Sequence, residues 1–313
     1  MIEKVHLLCP FLYCVGQKVI VATVGTTIYP TQGDPITLKK AKIRGAESEG
    51  MLCAEDEIGM GESHDGIKIL DNNCVPGTAL KKLYNPYQDY IYEIGLTPNR
   101  MDAMSHLGVA RDVCAYLSFH QKKQATVKSP WVENVNINSA ENNIIVSIEK
   151  NEACSRYCGV SISGITVTES PLWLQQKLKS IGLKPINNIV DITNFILHET
   201  GQPLHAFDAN QIKGNKIIVK TVAEGTLFKT LDEKERKLSE NDLMICDEAG
   251  PLCIAGVYGG FNSGVTLKTT SVFLESAHFD KGFVRKTALK HDLRTDAATR
   301  FEKGVDKIGR AHV

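Results

Sequence analysis

The sequence has no excess of charge of either sign, because 36 lysines and arginines balance 36 aspartates and glutamates. This balance argues against a protein whose whole surface binds nucleic acid, although it is compatible with local basic stripes. With 42% hydrophobic and 23% charged residues, the composition is that of a folded globular protein. A length of 313 residues favours two or more compact units.

The nine cysteines include no pair at CxxC spacing, which disfavours a zinc ribbon and a thioredoxin-like redox site. Cys154 and Cys158 stand four positions apart, but no second pair of ligands completes a standard zinc pattern. We therefore expect no metal site, and we expect reduced, mostly buried thiols.

Long hydrophobic runs are also missing, since no apolar stretch approaches the roughly 20 residues that a membrane-spanning helix needs. Glu3 and His6 interrupt the apolar stretch near the N-terminus, which disfavours a signal peptide. We therefore expect a cytoplasmic protein without a membrane partner. The sequence contains no G-x-S-x-G, H-E-x-x-H or Walker motif, so motif rules alone assign no chemistry to it.

The first part of the chain has the alternating pattern of β-strands. Three strands are predicted, at residues 17–25, 36–45 and 66–70. A closed OB barrel needs five strands, so we expect a partial OB-type β-barrel whose missing strands would lie before residue 17. Three cations are predicted on one face of the second strand, Lys40, Lys42 and Arg44.

Helical patterns begin after this β segment. Apolar residues at three-to-four spacing over residues 96–122 predict an amphipathic helix with Asp102 or Ser105 as its N-cap. Polar residues at 120–142 predict a linker. Beyond it, strands and helices are interleaved without a βαβ repeat, which indicates an α+β fold. Helices are predicted at 170–184, up to Gly201 and over 283–304, with strands at 144–150, 159–167, 216–222, 226–231, 237–247, 251–260 and 271–277.

Two titratable residues stand among apolar neighbours in this part of the chain. His205, behind a Gly-Gln-Pro turn, fits either a structural histidine or a pocket residue. Glu275 shares one strand face with Phe273, and it is either an exposed edge residue or a recognition group kept for a ligand.

The glycine pair and the basic stretch are equally ambiguous when read alone. Gly259 and Gly260 fit either a tight turn or a backbone that approaches a ligand closely. Arg294 and Arg300 belong to a stretch with a local excess of positive charge, which suits either a solvated helix face or contact with a phosphate backbone.

Several long blocks resemble one family, the beta subunit of bacterial phenylalanyl-tRNA synthetase, and they come in that family's order. The blocks are KAKIRGAESEGMLCAEDEIGMGESHDGI (40–67), GLTPNRMDAMSHLGVARDVCAY (95–116), VDITNFILHETGQPLHAFDA (190–209), AGVYGG (255–260) and LRTDAATRFEKGVD (293–306). The resemblance implies three domains: a truncated tRNA-binding OB module at 1–94, a helical remnant of a small α/β module plus linker at 95–134, and a mixed α+β editing domain at 135–313.

The resemblance also implies a function, the hydrolysis of tyrosine wrongly esterified to tRNA(Phe). The implied pocket has eight residues: Thr193, Asn194, His205, Gly259, Gly260, Glu275, Thr295 and Ala297. By the resemblance, Thr193, Asn194 and His205 line this pocket and Glu275 contacts the phenolic hydroxyl of tyrosine. Its wall is formed by Gly259, Gly260, Thr295 and Ala297. Our own hypothesis is that His205 positions the attacking water or the terminal ribose, and that the amides of Gly259 and Gly260 face the oxyanion.

Contacts with tRNA are expected from five cations, Lys40, Lys42, Arg44, Arg294 and Arg300. By resemblance, the partners are tRNA(Phe) and a synthetase alpha subunit in a heterotetramer, and the full enzyme uses ATP and Mg²⁺. No cofactor site is expected in this chain. Residues 6–15 and 307–313 depart from the family pattern, which suggests a truncated module. Because an incomplete barrel leaves strand edges unpaired, a non-catalytic tRNA-binding or assembly fragment is the alternative hypothesis.

Overall fold

The computed structural model describes residues 16–61, 63–84, 87–128 and 144–305. The chain divides into two compact units, Met1–Gln88 and Asp89–Val313. The segments at 6–15 and 307–313, the strands expected before residue 17 and much of the expected linker lie outside the described residues. The division at residues 94 and 134 stays a prediction.

The first unit consists of short strands and one short helix, α1 (Leu80–Leu83). The strands are β1 (Lys18–Val19), β2 (Val21–Thr23), β3 (Thr27–Ile28), β4 (Ile36–Thr37), β5 (Ala41–Ile43), β6 (Ala46–Ser48), β7 (Gly50–Leu52) and β8 (Ile69–Leu70). They form four antiparallel pairs, β1–β8, β2–β7, β3–β4 and β5–β6. Within the described residues these pairs close no barrel, so the OB type stays a prediction.

The strand predicted at residues 36–45 is interrupted in the structure. Its second half, β5, is exposed at all three residues and turns back into β6. Arg44 lies in that turn with a φ of 49°, and Lys40 precedes the strand. The prediction that Lys40, Lys42 and Arg44 share one strand face is therefore wrong, because the turn comes earlier than the apolar alternation suggested.

The second unit contains ten strands and five helices among its described residues. The strands are β9 (Ile145–Ile148), β10 (Cys154–Ser163), β11 (Leu204–Asp208), β12 (Lys216–Thr221), β13 (Leu227–Lys229), β14 (Glu235–Lys237), β15 (Leu243–Cys246), β16 (Pro251–Ile254), β17 (Tyr258–Gly259) and β18 (Ser271–Phe279). The helices are α2 (His106–His120), α3 (Leu172–Ser180), α4 (Asn188–Thr200), α5 (Lys281–His291) and α6 (Asp296–Lys303). This mixture confirms the predicted α+β class.

Three sheets organise these strands. A three-stranded antiparallel sheet has the order β10–β18–β11, and a five-stranded sheet has the order β17–β16–β15–β12–β9. In the larger sheet, β12 and β9 are parallel and the other neighbours are antiparallel. The hairpin β13–β14 is the third sheet. One apolar core spans both larger sheets and includes Phe207, Val219, Ile245, Phe273 and Phe279.

Two helix ends follow their predicted signals, whereas the prediction of one helix over 283–304 is wrong, because Asp292 adopts the left-handed conformation with a φ of 52° and separates α5 from α6. Ser105 caps α2 by accepting a hydrogen bond from the amide of Gly108, which selects one of the two predicted caps. Helix α4 ends at Gly201 in the left-handed conformation, with a φ of 77°, as expected for a glycine at a helix C-terminus. In the described part of the chain, none of the helices has the length and apolar character needed to cross a bilayer.

Gly159 provides a test of how tightly the small sheet is packed. A Cβ atom at this position would lie 2.1 Å from the ring of Phe273. We expect Gly159→Ala to lower the free energy of unfolding by about 1–3 kcal/mol, since overpacking displaces the ring. Chemical denaturation followed by circular dichroism measures the change.

The matched control is Gly95→Ala, because a Cβ at Gly95 meets nothing within 4 Å. This variant should change the free energy of unfolding by less than about 0.5 kcal/mol. Equal stabilities for the two variants would contradict the tight packing at Gly159.

Candidate functional site

A cleft of about 610 Å³ in the second unit collects most of the predicted pocket residues. It lies among α4, β11, the segment around β17, β18 and the start of α6. Seven of the eight predicted residues line it: Thr193, Asn194, His205, Gly259, Glu275, Thr295 and Ala297. They come from a stretch of more than 100 positions, Thr193 to Ala297, so the fold brings them together.

The pairing of β11 with β18 places the two titratable residues side by side. His205 lies directly opposite Glu275 in the antiparallel register, and such residues project from the same face with Cβ atoms roughly 5 Å apart. Strand β18 is the central strand of its sheet, and Glu275 is only 5% exposed. The alternative that Glu275 is an exposed edge residue is therefore excluded.

Among the described residues, the Glu275 carboxyl group has one hydrogen-bond partner. The hydroxyl of Tyr157 on β10 donates to Oε2 of Glu275 over 2.8 Å. Burial raises the pKa of Glu275 to about 8, although the hydrogen bond from Tyr157 acts in the opposite direction. At neutral pH the site thus contains a mostly protonated carboxyl group, because a buried charge without a counter-charge is unfavourable.

His205 contributes a neutral imidazole to the cleft. Its Nε2 atom is shielded from solvent and has no hydrogen-bond partner within the described residues. Burial lowers the pKa of His205 to about 4, so the ring is uncharged at pH 7. The ring packs edge-on against Phe207, with 4.5 Å between the ring centroids. The site therefore presents one unsatisfied nitrogen beside the buried carboxyl group.

A buried aspartate anchors the start of α4, the helix that carries two of the predicted cleft residues. Asp191 is fully buried and accepts hydrogen bonds from the Ser170 hydroxyl at 2.5 Å and from the Ile186 amide at 2.9 Å. These bonds tie the helix to the preceding loop. Asp191 stands two and three positions before Thr193 and Asn194, so it fixes the turn that lines the cleft.

The two threonines of the cleft have engaged hydroxyl groups. Thr193 donates to the carbonyl of Val190 over 2.7 Å. Thr295 donates to the carbonyl of Val257 over 2.9 Å and caps α6 by accepting from a backbone amide of its first turn. Both side chains therefore shape the wall, which agrees with a lining role rather than an acid or base role.

The adjacent glycines differ in what they contact. A Cβ at Gly259 would lie 2.8 Å from Leu231 and 3.0 Å from the ring of His205. The backbone can therefore approach these two side chains only because residue 259 is a glycine. Gly260 does not line the cleft, and its amide donates to the carbonyl of Leu252 over 3.0 Å. Because that amide is already bonded within the sheet, the prediction that Gly260 faces an oxyanion is wrong.

A hairpin closes the cleft beside Gly259. Leu231 lies between β13 and β14 and lines the cleft. The guanidinium group of Arg236 binds both carboxylate oxygens of Asp232 at 2.8 and 2.9 Å and also contacts Thr230. This bidentate pair keeps the hairpin in one conformation, and the sequence analysis missed it together with β14.

Comparison with known proteins points to the same part of the chain as the cleft. A model of the B3/4 domain matches residues 153–310, about half of the chain. The chain belongs to the B3/4 domain family.

Curated relatives of this B3/4 protein are phenylalanine–tRNA ligase beta subunits, which are ligase subunits. The one from Bacteroides fragilis is 58% identical over 93% of this chain and 35% of its own length. The corresponding values are 57%, 94% and 36% for Bacteroides thetaiotaomicron, and 53%, 93% and 35% for Porphyromonas gingivalis. The predicted resemblance is confirmed, and the chain spans about a third of the length of these relatives.

The lysines of the first unit that were predicted to contact tRNA lie close to glutamates. Lys40 forms ion pairs with Glu47 at 2.8 Å and with Glu49 at 3.0 Å. Lys42 lies opposite Glu47 in the β5–β6 register. These carboxylates offset much of the positive charge, so the first unit presents a weaker basic surface than its sequence suggested.

The two predicted cations of the B3/4 domain also differ. Arg294 is exposed and lines a surface groove with Arg285 and Lys303. Arg300 is half-buried, and its Nε donates to the carbonyl of Met104 over 3.2 Å. Arg294 is therefore the better placed of the two predicted residues for an external phosphate, whereas Arg300 contacts the segment before α2.

Metal-binding groups are not assembled in the described part of the chain, where no cluster of three or more His, Cys, Asp or Glu side chains could hold an ion. The seven cysteines described there are free thiols, and four of them are buried: Cys53, Cys154, Cys246 and Cys253. Cys253 also lines the cleft, and the sequence analysis did not single it out.

The raised pKa of Glu275 predicts a pH-dependent stability. The unfolded chain releases this proton near the ordinary value of 4.5, but the folded domain keeps it until about pH 8. The free energy of unfolding should therefore fall as pH rises from about 4.5 to 8, by roughly 3–5 kcal/mol for this group alone. Glu275→Gln should remove this slope and gain stability relative to the wild type at pH 8.

Denaturant titrations at half-unit pH steps measure the slope. Glu240→Gln is the control, because Glu240 is exposed in the same unit, and it should retain the wild-type dependence. Parallel curves for the wild type and Glu275→Gln over this window would show that Glu275 is not buried as a neutral acid.

Proposed function

We propose that this B3/4 domain hydrolyses tyrosine from mischarged Tyr-tRNA(Phe), as the proofreading part of a phenylalanine–tRNA ligase beta subunit. The observation that carries the proposal is the pair of His205 and Glu275, opposite each other on adjacent strands and both lining one cleft. The names of the relatives support the part of the proposal that concerns a phenylalanine–tRNA ligase beta subunit. The tRNA(Phe) substrate and an alpha-subunit partner are part of the proposal.

A buried carboxyl group supplies a selectivity for tyrosine over phenylalanine that the aminoacylation site of a ligase lacks. A pocket shaped for phenylalanine rejects tyrosine by only about a hundredfold, because adding a hydroxyl to an apolar site is weakly penalised. In the cleft, a tyrosine hydroxyl would hydrogen-bond to Glu275, whereas a phenylalanine ring would leave this buried polar group without that partner. An unsatisfied buried group costs about 1–3 kcal/mol, so the correctly charged tRNA is refused.

The hydrolysis requires a positioned water and stabilisation of a developing oxyanion. With a pKa of about 4, His205 is too weak a base to remove a proton efficiently at neutral pH. Its unpaired Nε2 instead suits hydrogen bonding to the attacking water or to the terminal ribose. The backbone at Gly259 and the first turn of α6, which both line the cleft, are the groups that we assign to the oxyanion.

Binding of the tRNA backbone is assigned to exposed cations beside the cleft. Arg294 directly precedes the cleft residue Thr295, so a phosphate held by Arg294 would lie close to an ester in the cleft. Neutralised phosphates give a salt-dependent affinity. ATP and Mg²⁺ serve aminoacylation by a whole ligase, and the described residues of this chain provide no matching ligand cluster.

The decisive experiment measures release of tyrosine from preformed Tyr-tRNA(Phe), with Phe-tRNA(Phe) as the control substrate. We expect the wild-type chain to release tyrosine and to leave phenylalanine bound to its tRNA. Binding of both tRNAs without release of either amino acid would support the non-catalytic alternative and overturn the proposal.

His205→Ala tests the positioning of the water or ribose. Because His205 lines the cleft and its Nε2 has no partner among the described residues, losing its positioning role should lower the rate of tyrosine release by roughly 10²-fold. His291→Ala is a useful comparison, since that imidazole binds Asp242 outside the cleft. Normal deacylation by His205→Ala would end the role assigned to this histidine.

Glu275→Ala tests the origin of the selectivity. Without the carboxyl group, tyrosine loses its partner and phenylalanine no longer leaves a buried polar group unsatisfied. The ratio of kcat/KM for the two aminoacyl-tRNAs should fall by about tenfold to a hundredfold. An unchanged ratio would rule out Glu275 as the group that recognises the phenol.

A further inference from the structure

Glu275 has a neighbouring strand on each side, and only one of its two directly opposite residues has a side chain. On one side His205 of β11 faces it within the cleft. On the other side its direct partner in the register is Gly159 of β10, which has no side chain to offer. The ring of Phe273 occupies the space over Gly159, 2.1 Å from where a Cβ would be.

Tyr157 reaches the carboxyl group diagonally from the same face of β10. Its register partner is Ala277, one pair beyond Glu275 on that face. Its hydroxyl donates to Oε2 of Glu275 over 2.8 Å. Within the described residues no hydrogen bond reaches Oε1, so Tyr157 engages one oxygen and leaves the other for a ligand.

The position of Tyr157 differs from that of a substrate-contacting residue. Glu275 lines the cleft but Tyr157 does not. A ligand would therefore meet the carboxyl group from the cleft side while Tyr157 holds it from behind. The hydroxyl of Tyr157 is the same chemical group as the one that distinguishes tyrosine from phenylalanine. Each of the two carboxyl oxygens of Glu275 can accept a hydrogen bond from a phenol, and Tyr157 already occupies one of them, Oε2.

We propose that Tyr157 is a positioning residue that holds the Glu275 carboxyl group with one oxygen turned towards the cleft, and thereby sets the preference for a phenolic amino acid. This inference rests on the proposed function. A carboxyl group without this tether can rotate about its last torsion, which has broad minima, and can turn both oxygens away from a ligand. Selectivity then depends on two residues, of which only Glu275 touches the substrate.

The titratable groups around this carboxyl come from three strands. His205 faces it from β11, Tyr157 and Cys154 lie on β10, and Cys253 lies on β16. Of these, Tyr157 donates a hydrogen bond that favours the ionised form of Glu275. Removing that hydroxyl should therefore move the ionisation of Glu275 to higher pH.

The test is Tyr157→Phe, which removes one oxygen atom and keeps the ring. The ratio of kcat/KM for Tyr-tRNA(Phe) over Phe-tRNA(Phe), measured from pH 6 to 8.5 with spontaneous hydrolysis subtracted, should fall about tenfold or more at neutral pH. The pH at which this ratio is halfway between its low-pH and high-pH values should also rise. Ser161→Ala is the matched control, because it removes a buried, unpartnered hydroxyl from the same face of β10, and it should leave both quantities unchanged.

A double-mutant cycle separates positioning from general destabilisation. If Tyr157 acts through Glu275, Tyr157→Phe should have no further effect on the ratio in a Glu275→Ala background. Additive losses in the double variant, or a wild-type ratio in Tyr157→Phe, would overturn the inference.

A measurement without tRNA keeps the inference distinct from the proposed function. In chain carrying ¹³C-labelled glutamate, the carboxyl resonance of Glu275, identified by its loss in Glu275→Gln, can be titrated by NMR. The midpoint should move to higher pH in Tyr157→Phe. An unchanged midpoint would refute the contact even if the wild type deacylates selectively. A shifted midpoint in a chain that releases no tyrosine would refute the deacylase and retain the contact.

Discussion

The antiparallel pairing of β11 with β18 is the constraint on which the site depends. This register sets His205 against Glu275, and a slip of one residue in either strand would turn that strand's side chain away from the other. On its other edge β18 pairs with β10, which supplies Tyr157. The acid, the imidazole and the tether are therefore arranged by backbone hydrogen bonds of a sheet rather than by loops, and the helices α4 and α6 complete the walls around them.

Much of the fold could be predicted from local chemistry. The alternation of β18 and the glycine at the end of α4 are strong local patterns, and both elements form close to the predicted positions. Strand β11 was not predicted, because five residues after a Gly-Gln-Pro turn carry too little periodicity to be recognised. The turn between β5 and β6 was missed for a related reason, since it places Arg44 in a left-handed conformation that no local rule assigns to arginine.

The site was predictable only in part, and the missing part is non-local. Seven cleft residues were named from the resemblance, but no sequence pattern could distinguish a buried Glu275 from an exposed one, because that depends on β18 being central in its sheet. The contact from Tyr157 spans 118 positions. Gly259 and Gly260 look alike in sequence, yet one borders the cleft and the other has its amide bonded to Leu252.

The central location of β18 also has a consequence for how accuracy is lost. Local opening of a protein begins at fraying ends and loops, and the middle strands of a sheet separate only in the largest cooperative openings. Since Glu275 lies on such a strand, heating should remove its proposed discrimination together with the fold of the whole domain rather than by degrees. Under the proposed function, a heat-damaged copy would lose hydrolysis altogether rather than lose its selectivity, and correctly charged tRNA would not be cleaved.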